Sequence, residues 1–202
     1  KPTGVAVGDL LIIATTGSLA LVHPSCTGFS TLASAIYDAP GSVPDVYINL
    51  LYKIADSSDV SASNYTIVGG GTGNMGAACM FRVSGWSSGN PLYGSISTTA
   101  GYQDATSFTA SASGLSVLRP TQQLLIQIVG FCSTNSPYSS ATVSGYSITS
   151  GDSNPTWIEV IDTTINNTPG FKQSLAVAYA LSTDTSTITA FSATGATDTG
   201  GN

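Results

Sequence analysis

Charge is what this chain most conspicuously lacks. Only 8% of its 202 residues are Asp, Glu, Lys or Arg, where an average soluble domain carries about 25%. The five bases, Lys1, Lys53, Arg82, Arg119 and Lys172, are scattered along the chain. No basic patch can gather on a phosphate backbone, so no nucleic-acid partner is expected. Histidine is reduced to His23, and no C-x-x-C occurs, which removes the common zinc patterns. Long apolar runs are missing too. "LLIIA", from Leu10 to Ala14, is among the longest and falls far short of the roughly 20 residues of a membrane-spanning helix. No membrane partner is therefore expected.

Cysteine is equally sparse. Cys26, Cys79 and Cys132 are far apart and odd in number, so they cannot build a disulfide framework; buried free thiols are the expectation. The acids are ten Asp and Glu159, giving a net charge of −6. They are dispersed, with no D-x-D-x-D-G calcium loop and no distinguishable pair of glycosidase carboxylates. No signal peptide is visible, because no charged region precedes an apolar core. The chain starts on Lys1 rather than Met, so its native N-terminus is expected to be processed or to lie upstream.

What is present is alternation. In "VYINLLYKI", Val46, Ile48, Leu50, Tyr52 and Ile54 share one face, and Tyr47, Asn49, Leu51 and Lys53 the other. This period of two predicts a half-buried strand. "SLAVAYAL" places Leu175, Val177, Tyr179 and Leu181 opposite Ala176, Ala178 and Ala180; so small a second face predicts close approach by another layer. "TSTITAFSA" is rich in β-branched residues. "LLIIATT" and "LLIQIVGF" are nearly continuous apolar runs, as in central strands of a sandwich. Turn signals such as "DAPGSVP", "ADSSD", "GDSNP" and "NNTPG" separate these runs. "FSTLASAIYDA" is the best helix candidate and lacks a cap. The predicted fold is all-β: a two-sheet antiparallel β-sandwich, jelly-roll-like, with little or no helix, forming a single domain over 1–202. Such a length buries a sizeable core without staples.

Two motifs invite a catalytic or cofactor reading. Gly71, Gly73 and Gly76 complete a G-x-G-x-x-G, whose dinucleotide role requires a helix after the last glycine and an acid about 20 residues on. Here Ala77, Cys79, Phe81 and Val83 alternate with Ala78, Met80, Arg82 and Ser84, and the next acid is Asp104. A glycine-rich link between strands is preferred. "GWSSG" fits the G-x-S-x-G elbow at Ser87, but Pro91 follows early and His23 lies upstream, against the hydrolase order. Trp86 and Trp157, with nine Tyr, offer a carbohydrate-stacking platform, although core packing is the simpler role. The sequons at Asn64 and Asn166 matter only in a glycosylating host. No catalytic, cofactor-binding or metal-binding residue is assigned.

Several stretches together resemble a known domain. "KPTGVAVGDLLIIATTG" is similar to the opening of a β-sandwich domain recurrent in structural proteins of tailed bacteriophages. "LLYKIADSSDVSASNYTIV", "AACMFRVSGWSSGNPL", "NPTWIEVID" and "SLAVAYAL" resemble that family's later landmarks, in order and across nearly the whole chain. The resemblance implies a virion protein without enzymatic activity: a capsid decoration or cement protein that assembles with its own copies and with the major capsid protein. The alternative it implies is a tail-fibre or head-fibre domain gripping a host surface glycan. A first strand expected before Lys1 is absent from this sequence.

Overall fold

The structure is a computed structural model that describes residues 1–18, 23–37, 46–69, 76–86, 107–117, 123–133, 138–149, 154–167, 171–183 and 187–199. In chain order its elements are β1 (Leu10–Ser18), β2 (Ser25–Cys26), β3 (Ser30–Tyr37), β4 (Val46–Ile54), α1 (Ser57–Ser61), β5 (Ile67–Val68), β6 (Gly76–Val83), β7 (Ser107–Val117), β8 (Gln123–Ser133), β9 (Tyr138–Thr149), β10 (Trp157–Asn167), β11 (Phe171–Ser182) and β12 (Ile188–Thr199). The all-β, sandwich-like expectation holds. The strands build three antiparallel sheets, in the orders β3-β4-β1-β6, β10-β11-β8 and β7-β12-β9, with a β2-β5 ribbon. The third sheet is an addition to the expected pair.

The two faces of β11 explain it. Leu175 and Val177 pack against Ala14 of β1 and Ala77 of β6, joining the second sheet to the first. Ala176 and Ala178 turn the other way, onto Val143 and Tyr146 of β9 and Ala193 of β12, joining the second sheet to the third. All four of these β11 residues are completely buried. The small alanine face is where another layer approaches, as its composition predicts. β1 is covered twice over as well. Ala14 faces the second sheet, while Leu11 and Ile13 pack under Val5, Cys26, Phe29 and Tyr65. An apolar run without alternation is the signature of a strand with no wet face. β8 has the same character but lies at the edge of its sheet among the described strands; its apolar run reflects covered faces rather than a central position.

Two glycines mark the tightest approaches. A Cβ on Gly130 of β8 would lie 2.6 Å from Thr16 Oγ1 and 2.8 Å from an Ile48 methylene, so only glycine lets the first two sheets meet there. Gly17 and Gly76 are cross-strand partners. The Tyr47 phenol lies across both: a Cβ on Gly17 would overlap its hydroxyl and the adjoining ring edge, and one on Gly76 would sit 3.2 Å from its hydroxyl.

The uncapped stretch "FSTLASAIYDA" forms no helix: its core is β3, paired along β4 from Tyr37↔Val46 to Ser30↔Tyr52 with one register shift. The short α1 arises instead at "ADSSD". Asp56 caps it, accepting from the amides of Ser58 and Asp59, while the Asp59 side chain returns to the Asp56 amide. This reciprocal capping box satisfies donors that a five-residue helix otherwise leaves open.

Candidate functional site

The polar side chains of the described residues gather in a few places, and most of these tie elements together. Asp59, only 2% exposed, receives Lys53 Nζ at 2.8 Å and the Tyr65 hydroxyl at 2.9 Å. Burial pushes its carboxyl up, but the Lys53 ammonium, the Asp56 amide and the Tyr65 phenol outweigh burial and hold it below the ordinary range. Burial and the bond to Asp59 push Tyr65 up to about 12. The result clamps β4, α1 and the strand entry at β5. Asp9 plays a similar part. Its carboxylate accepts from the Ala6 amide at 2.8 Å and from Arg82 at 3.1 Å, which together hold its carboxyl low against a contrary push from burial. The turn is closed by Gly8 N–H to Ala55 O and Ala55 N–H to Asp9 O, each 2.8 Å. Asn154 clips β9 to the start of β10, accepting from Ile148 N–H and Trp157 Nε1 and donating to Tyr146 O.

Four of the five stretches singled out in the sequence thus supply a side chain that fastens one element to another: Asp9 in the first, Lys53, Asp56, Asp59 and Tyr65 in the second, Arg82 in the third and Asn154 in the fourth.

The motif residues fare as follows. Gly76 opens a strand rather than a helix, so its motif lacks the structure a pyrophosphate needs; Gly71 and Gly73 lie outside the described residues. Ser87, Asp104 and Pro91 also lie outside them. His23 sits edge-on to Tyr47, with ring centroids 6.2 Å apart. Trp86 Nε1 donates to Gly8 O at 2.8 Å. Trp157 packs against Tyr146 and Phe191, a packing role rather than an open platform. Cys26 and Cys79 are free, and burial pushes both thiols up; the Cys132 side chain lies outside the described residues. Asn64 is exposed, while the side chain of Asn166 in β10 is outside the described residues. Among the described residues no helix is long and apolar enough to cross a membrane, and no group of three or more His, Cys, Asp and Glu side chains suits a metal.

One polar group does no fastening that accounts for it, and sequence reading missed it. Strict alternation would put Glu159 and Asp162 on opposite faces of β10. A bulge between Glu159 and Ile161 changes the register, so Glu159 stands opposite Ala178 and Asp162 opposite Ala176. Both carboxylates then share the alanine face, toward the third sheet. Asp162 Oδ2 accepts from Val143 N–H of β9 at 2.7 Å, whereas its Oδ1 is buried without a partner among the described residues. Among the same residues Tyr146 Oη and Gln127 Oε1 are buried without a partner too. Burial pushes Asp162 up despite the Val143 amide; burial and then the Asp162 charge push Glu159 up. Tyr146 is raised by burial and then by both carboxylates. The available signal was "WIEVID", but a bulge cannot be located from periodicity alone.

A second surface feature is apolar. On the opposite face of the same sheet, Ile158 pairs with Tyr179, and Leu181 with Leu124. Ile158 is 51% exposed and Leu181 59%, with Tyr179 and Leu124 half-buried beside them. The first sheet covers Leu175 and Val177 of this face but leaves this end open.

Compared with known protein families, with curated proteins and with solved structures, the chain matches none.

Proposed function

We propose that this chain is a non-enzymatic structural protein of a tailed-bacteriophage virion, a decoration or cement protein on the particle exterior that binds its own copies and the major capsid protein. The observation that carries this reading is the open apolar strip of Ile158, Tyr179, Leu181 and Leu124. Contiguous exposed apolar surface marks contact sites, and a surface with few charges does little to keep monomers apart. The sequence resemblance supplies the particle. Its landmark residues support a scaffold because they are engaged in ties between elements.

An enzymatic reading finds less support. A glycosidase sets two carboxyls on either side of a sugar ring, whereas Glu159 and Asp162 project from one strand into a layer occupied by Val143 and Tyr146. Glycan gripping would use rings open in one groove, and Trp157 is engaged by Tyr146 and Phe191.

Light scattering after size-exclusion chromatography tests the assembly. The 20.4 kDa chain is expected to run as an oligomer at tens of micromolar. Leu181→Asp and Ile158→Asp, both at exposed positions, should return it to monomer with unchanged circular dichroism. A wild-type chain that stays monomeric throughout, or oligomers unaffected by either variant, would refute the role given to the strip.

A further inference from the structure

We propose that the carboxylates of Glu159 and Asp162, together with the Gln127 side-chain carbonyl and the Tyr146 hydroxyl, form a site for a hard divalent cation of the calcium class between the second and third sheets.

Asp162 Oδ1, Gln127 Oε1 and Tyr146 Oη are all buried without a hydrogen-bond partner among the described residues. Gln127 and Tyr146 are each only 8% exposed. Folded proteins leave few buried polar atoms unmatched, so three around one patch of sheet call for a common cause. Register brings them together. Gln127 and Glu159 flank Ala178 from either side, and Asp162 follows on the same face opposite Ala176. The alanines form a low floor. Tyr146 packs over that floor from β9, and its hydroxyl feels the charge of both carboxylates.

The three basic side chains among the described residues are all engaged elsewhere. Lys1 is bound to the carbonyls of Val60 and Ala62, Lys53 to Asp56 and Asp59, and Arg82 to Asp9. Register sets Gln127 of β8 on the face of the pair, and Tyr146 of β9 feels the charge of both carboxylates. Lys172 of β11 stands in register with Asn166, four positions along β10 from Asp162.

The donor set decides the ligand class. Carboxylate, amide carbonyl and hydroxyl oxygens are hard donors, and no thiol or imidazole stands among them, which suits calcium rather than zinc or copper. Glu159 is exposed, so water can reach the cluster and complete a coordination shell larger than the protein oxygens alone provide. The bulge in β10 is the device that makes the site: it alone sets Glu159 and Asp162 on one face.

The test uses the full chain stripped with EDTA and then titrated with calcium, magnesium or terbium. At a hundredfold excess over Kd, calcium is expected to raise Tm by roughly 5–10 °C. Terbium should give sensitised emission through Trp157, whose ring lies 5.9 Å from that of Tyr146. Glu159→Gln, at an exposed position, and Asp162→Asn should each lose the shift and at least tenfold of the terbium affinity. If Asp162→Asn folds poorly, Glu159→Gln and the wild-type titration still decide the matter. No Tm shift and no emission with any of the three ions would overturn the proposal. Equal responses in wild type and both variants would overturn it as well. Neither outcome bears on the apolar strip or on assembly.

Discussion

Asp59→Ala should cost about 3 kcal/mol of folding stability, read from denaturant unfolding of the full chain. Removing one partner of a buried ion pair typically costs about 3–5 kcal/mol, because the other is left buried and uncompensated. Here the expected loss sits at the low end, since Lys53 keeps a contact with Asp56 at 3.1 Å. Tyr65 and the Asp56 amide lose their acceptor at the same time. Asp56→Ala is the control: its carboxylate is exposed, and its loss should weaken α1 with a smaller effect. The pH dependence follows from the lowered carboxyl of Asp59. A carboxyl whose folded value lies below its unfolded one stabilises the protein above the unfolded value, 3.8 here, and that contribution fades as pH falls through the folded value. The gap between wild type and Asp59→Ala should be flat from about pH 5 to 8 and shrink below about pH 4. A gap under about 1 kcal/mol at neutral pH would show that the clamp is a surface pair of little weight.

Neighbouring residues of β11 should respond to opposite kinds of change. Leu175→Ala empties a completely buried position between the first and second sheets, with an expected cost of about 2–5 kcal/mol from lost transfer energy and the cavity left behind. Ala176→Leu adds volume where β11 meets β9 and β12, and overpacking should cost about 1–3 kcal/mol. Either loss is a large part of the roughly 5–15 kcal/mol that holds a typical domain folded. If β11 had one wet face, Ala176→Leu would be nearly silent. Thermal unfolding of the two variants beside wild type therefore tests the three-layer arrangement directly.

Much of the fold is legible in the sequence because covered faces leave a compositional mark. The unbroken "LLIIATT" marks β1, buried on both faces, and "SLAVAYAL" records in its alanines which side carries the extra layer. The number of sheets is not legible in the same way, since alternation reports that a face is covered and not by what. β3 misleads because "STLASAI" is built of small residues with no strong period. α1 hides in "ADSSD" because Asp and Ser signal turns and helix caps alike. The acidic group at Glu159 and Asp162 was out of reach for a sharper reason. Their spacing of three residues assigns them to opposite faces until a bulge, invisible to periodicity, reunites them. The clamps at Asp9 and Asp59 join residues 73 and 6 positions distant, and the longer of these is set by pairing between strands rather than by local sequence.

Locating this chain in particles tests most directly the proposed role as a non-enzymatic component of the virion exterior. Mass spectrometry and cryo-electron microscopy of purified particles from a phage that encodes it should find the chain in many copies. Density for the three stacked sheets is expected on the outer surface, with the strip of Ile158 and Leu181 against a neighbouring subunit. Absence of the chain from purified particles, or its recovery as a free protein that cleaves glycans, would contradict the account.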